Sequence, residues 1–162
     1  MAIRKGDRAP GFALPAKPGE KIDVGDHIGQ DRVVLLFFPL AFSPVCTDEM
    51  CHFRDEWSEW ESLDAKVFGI SVDSPFVVER FRAQERIPFP ILSDFNKDVC
   101  RQYGALHEDL KGLKGVAKRA AFVIGEDGNV VYDWVTEDPR VQVPFEEVKS
   151  ALKAAQGTPA AT

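Results

Sequence analysis

Arg32 is followed by Val33-Val34-Leu35-Leu36-Phe37-Phe38, an unbroken apolar run that stops at Pro39. A strand covered on one face alternates apolar and polar residues, whereas a continuous run belongs to a strand covered on both faces. A chain containing such a strand must supply two covering layers, and this points to an α/β architecture. Lys66 to Val72 is a second run of the same kind. Ala120–Ile124 and Asn129–Val135 flank Gly125-Glu126-Asp127-Gly128, a hairpin signal. Helical patterning covers Cys46–Leu63, Pro75–Glu85, Asp98–Tyr103 and Pro144–Ala155, with a short strand near Phe89–Leu92. The order β-α-β-α, short strand, helix, β-β-α predicts a mixed central β-sheet. Its centre is parallel, its hairpin antiparallel, and helices lie on both faces.

With 162 residues and 44% of them hydrophobic, the chain has material for one core. We read residues 1–155 as one domain and 156–162, small and polar with a proline, as a disordered tail. No repeat of ~20–50 residues is visible, which excludes solenoids and propellers.

Lys and Arg number 20 against 26 Asp and Glu, so the formal net charge is 20 − 26 = −6. Nucleic acid and anionic membranes repel such a surface. The densest basic stretch, Lys111, Lys114, Lys118 and Arg119, is diluted by glycines and reads as a solvated loop. The first eight residues lack the apolar segment of a secretory signal, and no run approaches the ~20 residues of a membrane span. A cytoplasmic, reducing setting is the expectation, and there three cysteines read as thiols before they read as bridges.

In open α/β sheets, ligands gather beyond the carboxyl ends of the strands. After Phe38 come Pro39-Leu40-Ala41-Phe42-Ser43-Pro44-Val45-Cys46. Pro39 ends the strand, and Pro44 fits the first turn of a helix. Cys46, Met50, Phe53, Trp57 and Trp60 recur at intervals of 4, 3, 4 and 3, forming one apolar stripe. Cys46 therefore sits at a helix N-terminus, where unpaired N–H groups and the helix dipole favour a thiolate. On position alone two readings stand: a reactive nucleophile, or a small buried hydrophobe.

Cys51 lies five residues on. In an ideal helix its Cα is ~8.6 Å from that of Cys46, beyond the ~7 Å that a disulfide spans. The thiols can join only if the first turns unwind, as a transient redox bridge would require. The other reading of Cys51 is an inert helix residue. Zinc is a competing reading of Cys46-x4-Cys51-His52. It wants for ligands, since only the scattered Cys100, His27 and His107 remain.

At these residues the chain resembles the peroxiredoxins, whose Pro-x3-Thr/Ser-x2-Cys pattern is met by Pro39, Ser43 and Cys46. The similarity extends to Ala9-Pro10-Gly11-Phe12, Phe89-Pro90-Ile91-Leu92-Ser93-Asp94, Tyr103-Gly104 and Arg119-Ala120-Ala121-Phe122-Val123-Ile124. The resemblance implies a thioredoxin-like fold and thiol-dependent reduction of hydrogen peroxide or organic hydroperoxides. It makes Cys46 the peroxidatic nucleophile and Ser43 the hydroxyl that holds peroxide and thiolate. Arg119 becomes the stabilising arginine, Glu49 the residue that orients it, and Pro39 a shield. It implies no metal, haem or flavin.

The spacing Cys46-x4-Cys51 with Phe53-Arg54-Asp55 is similar to the bacterioferritin-comigratory, or PrxQ, type, in which the second cysteine resolves the first. Phe37-Phe38-Pro39-Leu40-Ala41-Phe42 and Phe89-Pro90-Ile91-Leu92-Ser93-Asp94-Phe95 are similar to the AhpE type, which manages with one cysteine. The first type implies an intramolecular disulfide recycled by a thioredoxin- or glutaredoxin-like reductant. Both types imply a monomer or a homodimer packed near the catalytic loop, with Phe42 and Phe76 as candidate contacts. Cys100 reads as core.

Overall fold

The computed structural model describes residues 2–155, so the tail expected at 156–162 lies outside the described residues. The central strand β3 (Arg32–Phe37) is buried at all six positions. β4 (Ala65–Ser71) and β5 (Ile91–Ser93) pair with it in parallel succession, and β8 (Arg119–Ile124) and β9 (Val130–Thr136) add antiparallel strands on its other side. The sheet order is β5-β4-β3-β8-β9, the mixed sheet expected from the alternation of runs.

The alternation of side chains along β3 divides the interior in two. Val34, Leu36 and the following Phe38 pack with α1 (Pro44–Asp55), α2 (Trp57–Ser62), α3 (Pro75–Glu85) and α5 (Phe145–Ala155). Val33, Leu35 and Phe37 pack with α4 (Asp98–Tyr103) and with Val24 on the opposite face. Helices cover both faces. Two small antiparallel pairs, β1 (Ala13–Lys17) with β2 (Glu20–Asp23) and β6 (Leu106–His107) with β7 (Val116–Ala117), complete the described chain.

One expectation needs correction. The helix foreseen over Cys46–Leu63 is two helices, broken at Glu56, whose φ of −110° and ψ of 22° leave the helical region. Its carboxylate is held from two sides, by His52 Nε2 at 2.6 Å and by Lys149 Nζ of α5 at 3.3 Å. The apolar stripe survives the break, because Phe53 and Trp60 still pack together, their rings tilted with centroids 4.7 Å apart. Hydrophobic periodicity alone therefore could not reveal it.

Two pairings position the functional region. Antiparallel pairing of β3 with β8 sets Phe37 against Ala120, so Arg119, one residue earlier, stands beside the carboxyl end of β3. Parallel pairing of β3 with β4 sets Phe37 against Ile70, so the segments that leave these strands run out together.

Candidate active site

The loop from Pro39 to Ser43 carries the chain from β3 into α1. Ser43 is the residue before the helix and Pro44 occupies its first turn. The Ser43 hydroxyl makes no cap for the helix; it donates instead to the Leu40 carbonyl oxygen at 2.7 Å. This leaves the N-terminus of α1 without a side-chain cap and turns the Ser43 oxygen lone pairs toward other donors. Phe42 adopts a φ of +69°, a left-handed conformation that costs a bulky side chain of the order of 1–2 kcal/mol. Its ring meets Phe81 of α3 edge-on, with centroids 5.2 Å apart. Phe42 and Phe76 are both exposed.

Cys46 is buried within α1. Arg119 Nη2 donates to its sulfur at 3.2 Å and to the Pro139 carbonyl oxygen at 2.8 Å, while Nη1 donates to Glu49 Oε2 at 2.9 Å. The other Glu49 oxygen accepts the Val143 N–H at 2.9 Å. Arg119 and Glu49 are themselves buried, and one guanidinium nitrogen, Nε, has no partner among the described residues.

Burial and the opposed charges of this pair act against each other in the titration of both groups. Burial alone disfavours the charged guanidinium, but Glu49 and then Cys46 outweigh it and hold the Arg119 pKa above the ordinary arginine value. Burial raises Glu49 above the usual carboxylate range, opposed by Arg119 and the Val143 N–H. Glu49 and the sulfur of Cys46 thus meet the same buried guanidinium, one on each arm.

Pro39, Leu40, Ser43, Cys46, Leu110 and Pro139 are among the residues that line a cavity of about 210 Å³ over this sulfur. The volume is several times the ~30 Å³ share of one liquid water. The structure thus brings together five residues singled out in the sequence: Pro39, Ser43, Cys46, Glu49 and Arg119. Cys51 is apart from them. Its sulfur donates to Glu85 Oε1 of α3 at 3.6 Å, and Arg54 donates to the Glu85 carbonyl oxygen beside it. Burial, then Glu85 acting against Arg54, pushes the Cys51 thiol up from its ordinary pKa. Cys100 is fully buried; burial first, and then Asp94, drive its pKa far above the thiol range.

Leu110, Pro139 and Val143 were not legible as site residues. Pro139 and Val143 contribute a backbone oxygen and a backbone N–H, groups that every sequence carries. Leu110 directly precedes the basic stretch read as a solvated loop, and the structure corrects that reading for Arg119, which is buried in β8. Among the described residues no group of three or more His, Cys, Asp or Glu side chains could hold a metal ion, and no helix is long and apolar enough to cross a membrane.

Comparison with known proteins identifies the family. The AhpC/TSA family model matches residues 5–133. The chain is 38% identical to the putative peroxiredoxin bcp of Coxiella burnetii over 146 residues, 88% of this chain and 93% of that protein. It is 37% identical to peroxiredoxin Bcp of Escherichia coli K12 over 131 residues, 79% of this chain and 83% of that protein. The crystal structure of peroxidoxin BcpB from Mycobacterium tuberculosis superposes with a TM-score of 0.82 at 32% identity, covering 94% of this chain and 97% of that one. A cysteine-to-serine mutant of Xylella fastidiosa PrxQ superposes with a TM-score of 0.81 at 27% identity, covering 95% and 98%. A buried cysteine under an arginine, on this fold and with these relatives, leads to one assignment: the chain belongs to the AhpC/TSA family and is a peroxiredoxin, a thiol peroxidase.

Proposed function

We propose that the protein reduces hydrogen peroxide and organic hydroperoxides at Cys46, with Cys51 as resolving thiol. The Cys46 thiolate attacks one peroxide oxygen and the O–O bond breaks. The departing oxygen takes a proton and leaves as water or alcohol, and the cysteine becomes a sulfenic acid. Arg119 and the uncapped start of α1 offer donors to the charge that develops on that oxygen, which is the chemistry the reaction needs. Ser43 holds the peroxide and Pro39 keeps bulk water from the sulfur.

Cys51 then attacks the Cys46 sulfur, water leaves, and a disulfide forms. A thioredoxin- or glutaredoxin-like dithiol restores both thiols by exchange. Because the two cysteines stand five positions apart on one helix, α1 must unwind first; the break at Glu56 supplies a place for unwinding to stop. The contact that carries the reading is Arg119 Nη2 on Cys46 Sγ at 3.2 Å, inside a cavity lined largely by apolar side chains.

A second reading has its own support. Cys51 is bonded to Glu85 and not to the Cys46 region, as befits a one-cysteine, AhpE-like peroxidase whose sulfenic acid is reduced from outside. A non-enzymatic thiol sensor would share the first oxidation but not turn over. We place the protein in the cytoplasm, as a monomer or homodimer.

The test is peroxide consumption with a thioredoxin system, alongside whole-protein mass after one equivalent of peroxide. We expect a loss of about 2 Da in wild type for a disulfide, no reaction in Cys46→Ser, and a persisting sulfenic acid in Cys51→Ser. Activity retained in Cys46→Ser would end the proposal. Undiminished thioredoxin-coupled turnover in Cys51→Ser would establish the one-cysteine route instead.

A further inference from the structure

The loop that delivers Cys46 to its position is irregular, and its backbone groups need partners outside helix and sheet. One of them is supplied from the neighbouring strand. Asp73 follows β4 closely, and its Oδ2 accepts the Ala41 N–H at 2.7 Å, across the gap where the two parallel strands end. The same oxygen accepts the hydroxyl of Ser71, fully buried, at 2.8 Å. The Asp73 backbone is held in turn: its N–H donates to Ser71 Oγ at 3.3 Å, and its carbonyl oxygen accepts the hydroxyl of the buried Ser93 of β5.

Ala41 immediately precedes Phe42, the residue forced to a φ of +69°. It lies between Leu40, whose carbonyl takes the Ser43 hydroxyl, and Ser43 itself. A strained backbone conformation persists only where its surroundings over-determine it. Here the tie lies on one side of the strained residue, and on the other side Ser43 enters the helix that carries Cys46.

We infer that Asp73 is a positioning residue for the peroxidatic site, clamping Ala41 so that the 39–43 loop presents Ser43 and Cys46 to peroxide. Asp73 is not among the residues lining the cavity over the sulfur and acts through Ala41. The inference rests on the peroxidase reading, and it concerns a residue that reading leaves unused. What the clamp requires is an oxygen acceptor at that point, not a negative charge. Displacing a reacting group by about an ångström costs of the order of 10²-fold in rate.

The experiment uses the full chain and rapid mixing with hydrogen peroxide, reading the second-order rate of Cys46 oxidation. Thermal midpoint and Ala41 amide hydrogen exchange are measured on the same samples. Asp73→Ala should slow oxidation by roughly 10–100-fold and expose the Ala41 amide to exchange. Asp73→Asn keeps an oxygen for both donors and should restore the rate to within a few-fold of wild type. If Asp73→Ala does not fold, Ser71→Ala tests the same point more gently. It removes one of the groups that fix the carboxylate and should slow oxidation and deprotect Ala41 in parallel. Oxidation at the wild-type rate in a folded Asp73→Ala with an exposed Ala41 amide overturns the inference. So does an Asp73→Asn as slow as Asp73→Ala. Failure of wild-type Cys46 to react with peroxide at all would instead remove the peroxidase reading.

Discussion

Arg119 Nη2 lies 3.2 Å from the sulfur of Cys46, although 73 residues separate the two in the chain. The contact exists because β8 runs antiparallel beside β3 and begins where β3 ends. It is held because Glu49, one turn beyond Cys46 on α1, binds the other arm of the same guanidinium. A planar fork holds a carboxylate and a sulfur in fixed directions at once; a lysine ammonium on a flexible stem offers its donors without that fixed geometry.

Replacing Arg119 should therefore slow Cys46 oxidation even when the charge is kept. Removal of a preorganised donor from a developing anion costs ~10²–10³-fold. We expect a loss of that order in Arg119→Met and a smaller but clear loss in Arg119→Lys, read as the second-order rate with hydrogen peroxide. An Arg119→Lys enzyme indistinguishable from wild type would show that the fork geometry is dispensable.

The three thiols should separate by reactivity in the folded protein. Cys46 has a guanidinium against its sulfur and opens to a cavity, so iodoacetamide at neutral pH should label it first. Cys51, whose pKa burial raises and whose sulfur faces the Glu85 carboxylate, should label slowly. Cys100, buried and facing Asp94, should label only after denaturation, and Cys100→Ser should keep full turnover. Peptide mapping of a labelling time course checks the order; early labelling of Cys100 contradicts it.

Stability should carry a mark of His107. Burial first, then Lys118, lowers its pKa against the pull of Glu137, and its Nε2 is buried without a partner among the described residues. The unfolded chain therefore binds the proton at higher pH than the fold does. Stability is unpenalised above the unfolded value of ~6.5 and falls as pH drops from there through the lower folded value. Thermal midpoints taken from pH 7.5 to pH 5 should drop more steeply in wild type than in His107→Gln. Parallel curves would place the acid sensitivity elsewhere.

Much of this molecule was written in local pattern. The apolar run of β3 and the glycine-rich hairpin before β9 each required only a few consecutive residues to be read. So did the proline-flanked turn into α1, because burial on two faces, turn chemistry and helix entry are short-range constraints. Cys46, Ser43 and Pro39 were visible for the same reason: they sit within eight residues on one strand-to-helix connection. Recognition of Arg119 and Glu49 needed the resemblance to a family, since a lone arginine at a strand start carries no signal of its own.

The β1–β2 hairpin had a local signal that was passed over: Pro18-Gly19 between its strands, with Gly19 at a φ of +78°. The break at Glu56 had none. Lys149 meets the residue at the break from α5, 93 positions away, and the stripe across it reads as unbroken. The Pro139 oxygen, the Val143 N–H and the Ala41–Asp73 bond likewise belong to backbone groups, which are the same in every sequence and acquire partners only when strands pair. What the chain determined by itself was which strand is central and which sulfur stands at a helix start. Which charge reaches that sulfur, and what holds the loop beneath it, was decided by the sheet's pairing order, because only there do residues distant in the chain come within hydrogen-bond distance.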